Sequence, residues 1–294
     1  MKLPSKFIVT GDWHLRSQLP RCRKDENWID TQKKALNQIC IFAIDKKCDI
    51  MVTGDIFDSQ STTSFEIIQL VQNMAKKLKK YNLGLYVIFG NHDLLYHSSG
   101  NIKKSAVGIL LQTENIFPIS VFENVSAPNF DEEDINCEYM FKHVLCFPDM
   151  KSLPPNVDAF TAKELLEKFD KCNYLFLGDM HKNFHYEKNG RHVVNPGCML
   201  RQAVDFKDYQ PGFYFIDTDK NIVDFQLIID DEKFIDDSYI LREKEKEERI
   251  QAFADKIGEV ESVSLDYIEN VKSAMMTSKL SGELKETINE LVGI

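Results

Sequence analysis

The sequence contains no uninterrupted apolar run approaching the roughly 18 residues that a membrane-spanning helix needs, so no membrane segment is expected. It lacks the paired cysteine spacing of a disulfide framework or a zinc ribbon. Its seven cysteines are an odd, scattered set, as expected of core residues in a reducing compartment. Basic residues are in deficit, with 36 Lys and Arg against 46 Asp and Glu and a net charge of -10. Phosphate contacts need clustered cations, so this balance argues against a self-sufficient nucleic-acid binder. It does not exclude a nuclease, because bound metals neutralise an acidic site locally and a partner can supply basic surface. No internal repeat and no low-complexity segment interrupts the chain. The opening Met1-Lys2-Leu3-Pro4-Ser5-Lys6 runs straight into an apolar stretch, so no signal peptide is expected and the cytoplasm is the expected location.

The chain has 294 residues and 43% hydrophobic content, enough for a full core and a small second domain. Four apolar runs each end in Gly followed by Asp or Asn. They are Phe7-Ile8-Val9-Thr10-Gly11-Asp12-Trp13-His14, Ile50-Met51-Val52-Thr53-Gly54-Asp55-Ile56-Phe57-Asp58, Leu85-Tyr86-Val87-Ile88-Phe89-Gly90-Asn91-His92-Asp93 and Tyr174-Leu175-Phe176-Leu177-Gly178-Asp179-Met180-His181. Each run has the length of a buried strand. The glycine is expected to let the backbone turn tightly as the strand ends.

Helical periodicity separates the strands. Ala35, Ile39, Phe42 and Ala43 mark a helix over residues 28–46, and Ile67, Val71, Met74 and Leu78 mark another over 64–81. Residues 102–112 suggest a third helix, and 117–122 and 139–147 suggest strands. Alternating strands and helices imply a parallel sheet with right-handed crossovers. Residues 191–195, 212–217 and 222–229 are short and β-rich, and suggest antiparallel strands completing a second sheet. Beyond about residue 235 the chain reads as charged helix. Residues 242–249 form a solvated face, and Leu265, Ile268, Val271, Met275 and Leu284, Ile288, Leu291 form two apolar stripes. A domain over residues 1–234 and a helical region over 235–294 follow.

In open α/β sheets ligands bind at the carboxyl ends of the strands. The four endings can therefore gather Asp12, His14, Asp55, Asn91, His92, Asp179 and His181 around one point. Carboxylate, amide oxygen and imidazole are donors for divalent metals. Asp12, His14 and His181 would hold one ion, Asp55 would bridge, and Asn91 would serve a second. Two ions about 3.5–4 Å apart clamp a phosphate ester and activate water. His92 would act as general acid, oriented by Asp93.

Asp12-x-His14, Gly54-Asp55-x-x-Asp58 and Gly90-Asn91-His92-Asp93 resemble the first three signatures of the calcineurin-like metallophosphoesterase superfamily. Gly178-Asp179-Met180-His181 is similar to its last, usually Gly-His-x-His, and Asn195-Pro196-Gly197-Cys198 resembles the turn that follows. The resemblance implies a two-sheet α/β/β/α sandwich with a small helical C-terminal extension. Within the superfamily, Asn91-His92-Asp93-Leu94-Leu95-Tyr96, Gly178-Asp179-Met180-His181-Lys182 and the helical tail are similar to the nuclease subunit of SbcCD-type DNA repair complexes, particularly phage-encoded ones. That implies a DNA exonuclease or endonuclease with two divalent ions, Mn²⁺ foremost, with Mg²⁺ or others as alternatives. It also implies a tail docking on an SMC-like coiled-coil ATPase, and a host cytoplasm if phage-encoded. Members of the family often dimerise through the phosphoesterase domain.

Two positions depart from the family pattern. Asp179 stands where a histidine is usual, which favours hard ions. The family's intermediate histidine ligand is expected at a strand end some thirty residues upstream. His143 lies too early in the expected strand, so Asp149 is the expected substitute. A second site altered in this way motivates one alternative to the nuclease, a catalytically weakened or non-catalytic scaffold of the same complex; a phosphatase on small phosphoesters or phosphoproteins is a separate one. Asp58 is expected to be structural. His97, His185 and His192 read as ordinary loop or strand histidines, Arg201 and Gln202 either approach phosphate or are plain polar residues, and Cys198 is not a nucleophile.

Overall fold

The computed structural model describes residues 1–59, 63–128, 134–230, 235–236, 238, 246, 248–250, 267–278 and 280–292. The chain divides into two compact units, Met1–Asp236 and Asp237–Ile294. In chain order the first unit contains β1 (Lys6–Thr10), α1 (Trp28–Lys46), β2 (Asp49–Val52), α2 (Phe65–Lys79), β3 (Leu85–Val87), α3 (Ala106–Gln112), β4 (Phe117–Pro118), β5 (Val125–Ser126), β6 (Tyr139–His143), β7 (Cys146–Phe147), β8 (Phe160–Thr161), α4 (Ala162–Lys168), β9 (Tyr174–Gly178), β10 (Phe184–Lys188), β11 (Arg191–Asn195), β12 (Gly212–Asp217) and β13 (Ile222–Leu227). The second contains α5 (Tyr267–Thr277) and α6 (Gly282–Val292).

Two sheets stack face to face. One runs β13-β12-β1-β2-β3-β4 and the other β10-β11-β9-β6-β5. Strands β1 to β4 are parallel, as are β5, β6, β9 and β11. The alternation of side chains along each strand builds the layers. From β1, Ile8 faces the helices α1 and α2, while Phe7 and Val9 face the other sheet. From β9, Phe176 joins Phe7, Phe141 and Val194 between the sheets, whereas Leu175 and Leu177 pack outward against Leu165, Leu166 and Phe169. The result is the expected α/β/β/α sandwich.

The helices have local causes. Asn27 caps α1 by accepting from the Asp30 N–H, and Lys47 ends it in the left-handed region. Ser64 caps α2 and Thr161 with Glu164 forms a capping box on α4. Ser64 is thus a cap and not part of the helix expected over 64–81. The helix expected over 102–112 starts later, because Ser105 caps it after a 3₁₀ turn at Ser99–Lys104. The strand expected over 117–122 stops at Pro118, which lacks an N–H to extend the ladder, and gives way to a 3₁₀ turn.

The expectation for residues 212–217 and 222–229 needs correction. β12 and β13 do not complete the second sheet. They extend the first, with β12 antiparallel to β1 and β13 to β12. Only β11 belongs to the second sheet, where it lies parallel to β9 and hairpins with β10. An antiparallel strand reads alike on either sheet, because its edge partner is set by the connection and not by its own pattern.

Cys22, Cys40, Cys48, Cys146, Cys172 and Cys198 are buried free thiols, and no helix among the described residues is long and apolar enough to cross a membrane. In the second unit Val271, Met275, Leu284 and Ile288 form a small apolar cluster. Leu265, most of the charged face over 242–249 and Asp131 to Glu133 lie outside the described residues.

Candidate metal centre

The carboxyl ends of β1, β2, β3, β6 and β9 converge. Loop-to-loop hydrogen bonds lace them: Asp12 N–H to Gly54 O at 3.1 Å, His14 N–H to Asp55 O at 3.0 Å and Leu15 N–H to Ile56 O at 2.9 Å. Two further links use carboxylates of the cluster itself. Asp55 Oδ1 accepts from the His92 N–H at 3.0 Å, and Asp12 Oδ1 accepts from the Asp179 N–H at 3.1 Å.

The glycines act mainly by clearing space. Among the four, only Gly54 has a positive φ, of 103°, and a Cβ there would meet His143 Nδ1 at 2.5 Å. At Gly90 a Cβ would collide with Asp55 Oδ1. The left-handed strain falls on the following residues instead: Asp12, His14, Asp55 and Asp179 have φ of 45°, 43°, 52° and 85°. Four non-glycine residues held there at one focus mark a functional constraint.

Among the described residues, three overlapping groups each have ligand atoms within 4.8 Å of one another: Asp12, His14 and His181; His14, Asp55 and His92; and Asp12, Asp55 and His143. His14 Nε2 faces His181 Nε2 at 3.0 Å and approaches Asp55 Oδ2 at 3.6 Å. His143 Nε2 lies 3.3 Å from Asp55 Oδ2, 3.1 Å from Asn91 Oδ1 and 3.7 Å from Asp179 Oδ1. The structure thus brings Asp12, His14, Asp55, Asn91, His92, Asp179 and His181 together, with His143 among them.

The expectation that His143 lies too early needs correction. The strand does not run from 139 to 147. It stops at His143, which sits in register opposite Gly178 at the end of the neighbouring β9. There Nδ1 bonds Thr53 O of the other sheet at 2.9 Å, which turns Nε2 toward the carboxylates. The parallel register with Gly178 is the signal that could have found it. Asp149, the expected substitute, is exposed on a turn, where Oδ1 accepts from Lys151 N–H and from Ser152 N–H and Oγ. Drawing that oxygen to a metal would undo the turn, and Asp149 joins none of the ligand groups.

Asp93 also departs from its expected part. It is fully buried, but Oδ1 accepts from the Phe57 N–H and Oδ2 from the Gly90 N–H, each at 3.2 Å. It braces the two loops and does not orient the His92 ring. Asp58 does that through its backbone: its carbonyl oxygen lies 2.7 Å from His92 Nδ1, so that nitrogen carries the proton. The Asp58 carboxylate reaches His14 Nδ1 at 3.8 Å and Arg16 at 3.1 Å. Arg16, absent from the sequence reading, is held by Asp58 and by Gln202 Oε1 at 2.9 and 3.1 Å. Arg201 lies away from this cluster, paired with Asp230 beside Arg23 and Asp25. Cys198 is buried, which pushes its thiol well up.

The electrostatics call for a cation. Burial raises the Asp12 carboxyl to about 8, and Asp55 adds to this against the attraction of His143. Its Oδ2 is buried with no hydrogen-bond partner. Burial lowers His14 to about 3 and lowers His181, so both rings are neutral, the form that ligates metal. Burial opposes charge on His143 too, yet Asp55, Asp12 and Asp179 outweigh it and lift this residue to about 10. Burial would raise Asp55, but His143 and His14 hold it at about 2. The carboxylates thus draw a proton onto His143 where a metal would supply the positive charge. An orphaned buried oxygen, two facing neutral imidazoles and oxygen-rich neighbours together fit divalent cations.

Residues 5–183 match the calcineurin-like phosphoesterase family. The chain belongs to that family. Its members are metal-dependent hydrolases of phosphate esters, in keeping with the cluster. Curated proteins give no match. Similar solved structures include a Thermus thermophilus protein, at 10% identity over 76% of this chain and 98% of the other with a TM-score of 0.44. An archaeal phosphodiesterase follows at 15% identity, 76% and 99% coverage and a TM-score of 0.39. A vacuolar protein sorting 29 protein of Cryptosporidium parvum has 18% identity, 76% and 96% coverage and a TM-score of 0.32.

Proposed function

We propose that this phosphoesterase hydrolyses DNA phosphodiester bonds as the nuclease subunit of an SbcCD-like repair or recombination complex. The supporting observation is the convergence of carboxylates and histidines on one buried point, with His92 fixed beside them by the Asp58 carbonyl. Asp12, His14, His181 and Asp55 would hold one divalent ion, and Asp55, Asn91, His143 and Asp179 a second, Mn²⁺ in preference. Bound there, the ions supply a Lewis-acid clamp on the phosphate and an acidified water to attack it. With Nδ1 committed to Asp58, Nε2 is the His92 nitrogen able to deliver a proton to the departing oxygen. Asp93 keeps the loop that carries Asn91 and His92 in register with Phe57.

The net charge of -10 leaves DNA grip to a partner. The second unit, with exposed Met276 and Leu291 beyond its small apolar cluster, is the proposed docking segment for an SMC-like ATPase. A scaffold without activity has two motives, a missing intermediate histidine and an aspartate at 179 in place of the usual histidine; His143 answers the first, and the second stands against an Asp179 Oδ1 that lies 3.7 Å from His143 Nε2. The test is cleavage of DNA by the purified chain with Mn²⁺, with and without its cognate ATPase. No cleavage of DNA, alongside efficient hydrolysis of a small phosphoester, would replace the nuclease by a phosphatase.

A further inference from the structure

Two cavities meet at the metal centre and share His181 and Phe206. The smaller, about 200 Å³, is lined by His14, Arg16, Asp58, His92 and Gln202. The larger, about 700 Å³, is lined by Phe147, Pro148, Met180, Lys182 and Phe184 together with Asp179. The first brings the Arg16 and His92 side chains next to the ligand residues His14 and His181. The second is wide, partly aromatic and unused by the hydrolytic step. It is in the size range of cavities that take nucleotide-sized ligands.

Phe206 stands at the junction. It ends a 3₁₀ turn at Val204–Phe206 and is half-buried. Its ring lies 5.7 Å from that of His181, tilted by 57°, and is braced from behind by Tyr209 at 5.9 Å in an edge arrangement. Lys182 Nζ lies over the same ring, 5.8 Å from its centroid. Lys182 is exposed and directly follows His181 in the chain. An aromatic ring next to a ligand histidine, with the ammonium of an exposed lysine over it, brings together the two groups that hold single-stranded nucleic acid: a ring for the base and a cation for the backbone.

We propose that Phe206 is a stacking platform for the nucleobase next to the scissile phosphate, and that Lys182 pairs with the adjoining phosphate of that strand. The larger cavity receives this flanking nucleotide. This rests on the DNA reading above and gives it a substrate form: an unpaired strand, because a base within a duplex cannot turn onto the ring. The site is continuous with the hydrolytic centre, so Phe206 acts on substrate binding and not on the chemical step.

The experiment uses the full chain with Mn²⁺ and a short single-stranded oligonucleotide, intact or with an abasic analogue at each position flanking the cut. Phe206→Ala and Phe206→Leu are compared with Phe206→Trp, and Lys182→Gln is included. Base stacking on an aromatic side chain corresponds to a change of about 5- to 150-fold in binding. The expected result is a KM raised by that factor in the Ala and Leu variants, with kcat near wild type and the Trp variant restored. An abasic site at one flanking position should raise the wild-type KM equally and leave Phe206→Ala unchanged. Lys182→Gln should reduce the salt dependence of KM by about one phosphate contact. The proposal is overturned if the Phe206 variants keep the wild-type KM on intact strands, or if an abasic site raises the KM of Phe206→Ala as much as that of the wild type. Should the Ala variant fail to fold, the Leu variant and the abasic series in the wild type decide. Wild-type protein that hydrolyses bis(4-nitrophenyl) phosphate but no oligonucleotide would remove the DNA reading and the platform together, whereas DNA cleavage indifferent to Phe206 would remove the platform alone.

Discussion

Replacing His143 by glutamine removes a buried positive charge from among Asp12, Asp55 and Asp179 while keeping a polar side chain of similar reach. His143 Nε2 sits 3.3 Å from Asp55 Oδ2 and 3.7 Å from Asp179 Oδ1. The His143 side chain is fully buried, as is that of Asp55 to within 1%. Removing one partner of such a pair leaves a buried charge uncompensated and costs about 3–5 kcal/mol. For a unit of this size each kcal/mol moves the melting temperature by about 2–4 °C, so a fall of roughly 6–20 °C is expected. Calorimetry on chelator-treated wild type and His143→Gln at pH 7 measures it. The variant should also bind one equivalent less of Mn²⁺, whereas Asp149→Asn should match the wild type in both respects. A His143→Gln protein that melts with the wild type and binds Mn²⁺ as well would exclude His143 as a charged partner and ligand, and an Asp149→Asn protein that loses a metal would put the ligand at Asp149 instead.

Other consequences follow from the same contacts. His92→Asn should lower kcat by about 10²–10⁴ with the number of bound ions unchanged, as metal analysis beside steady-state kinetics would show. Phe176→Ala should cost about 3–5 kcal/mol in urea unfolding, because its ring fills the space between the sheets against Phe7 and Phe141. Away from the metal centre, buried Arg23 bonds Asp25 at 2.7 Å and Asp230 at 2.9 Å. Burial raises the Asp25 carboxyl, but Arg23 and Thr31 more than reverse this and hold it below the usual range. A depressed carboxylate contributes stability that is present above its unfolded value and lost as pH falls through the folded one. Urea midpoints should therefore drop on acidification below about pH 4, and Arg23→Ala should flatten that part of the profile.

Much of the layered fold is legible in the sequence, because the deciding signals are local. The four apolar runs end in Gly-Asp or Gly-Asn where β1, β2, β3 and β9 end, and helical periodicity alone locates α1 at Trp28–Lys46. What escapes is set by pairing between distant segments. β12 and β13 choose their sheet through contacts with β1. His143 becomes a strand end only when Gly178 is opposite it and the Thr53 carbonyl of the other sheet accepts from its Nδ1. The part of Asp93 escapes for a related reason: adjacency to His92 in sequence suggests contact, while the turn sends its carboxylate to Gly90 and Phe57. Arg16 and Phe206 carry no motif at all, and acquire meaning only from the cavities they line.

On the proposed function, these strand ends would hold two divalent ions that act on one phosphodiester. Crystals of the full chain grown with Mn²⁺, with data collected on both sides of the manganese absorption edge, test it directly. Two anomalous peaks are predicted. One should touch Asp12, His14 and His181, the other should touch Asn91, His143 and Asp179, and Asp55 should contact both. Density confined to one of these positions, located at Asp149, or absent from the cluster altogether would contradict the claim.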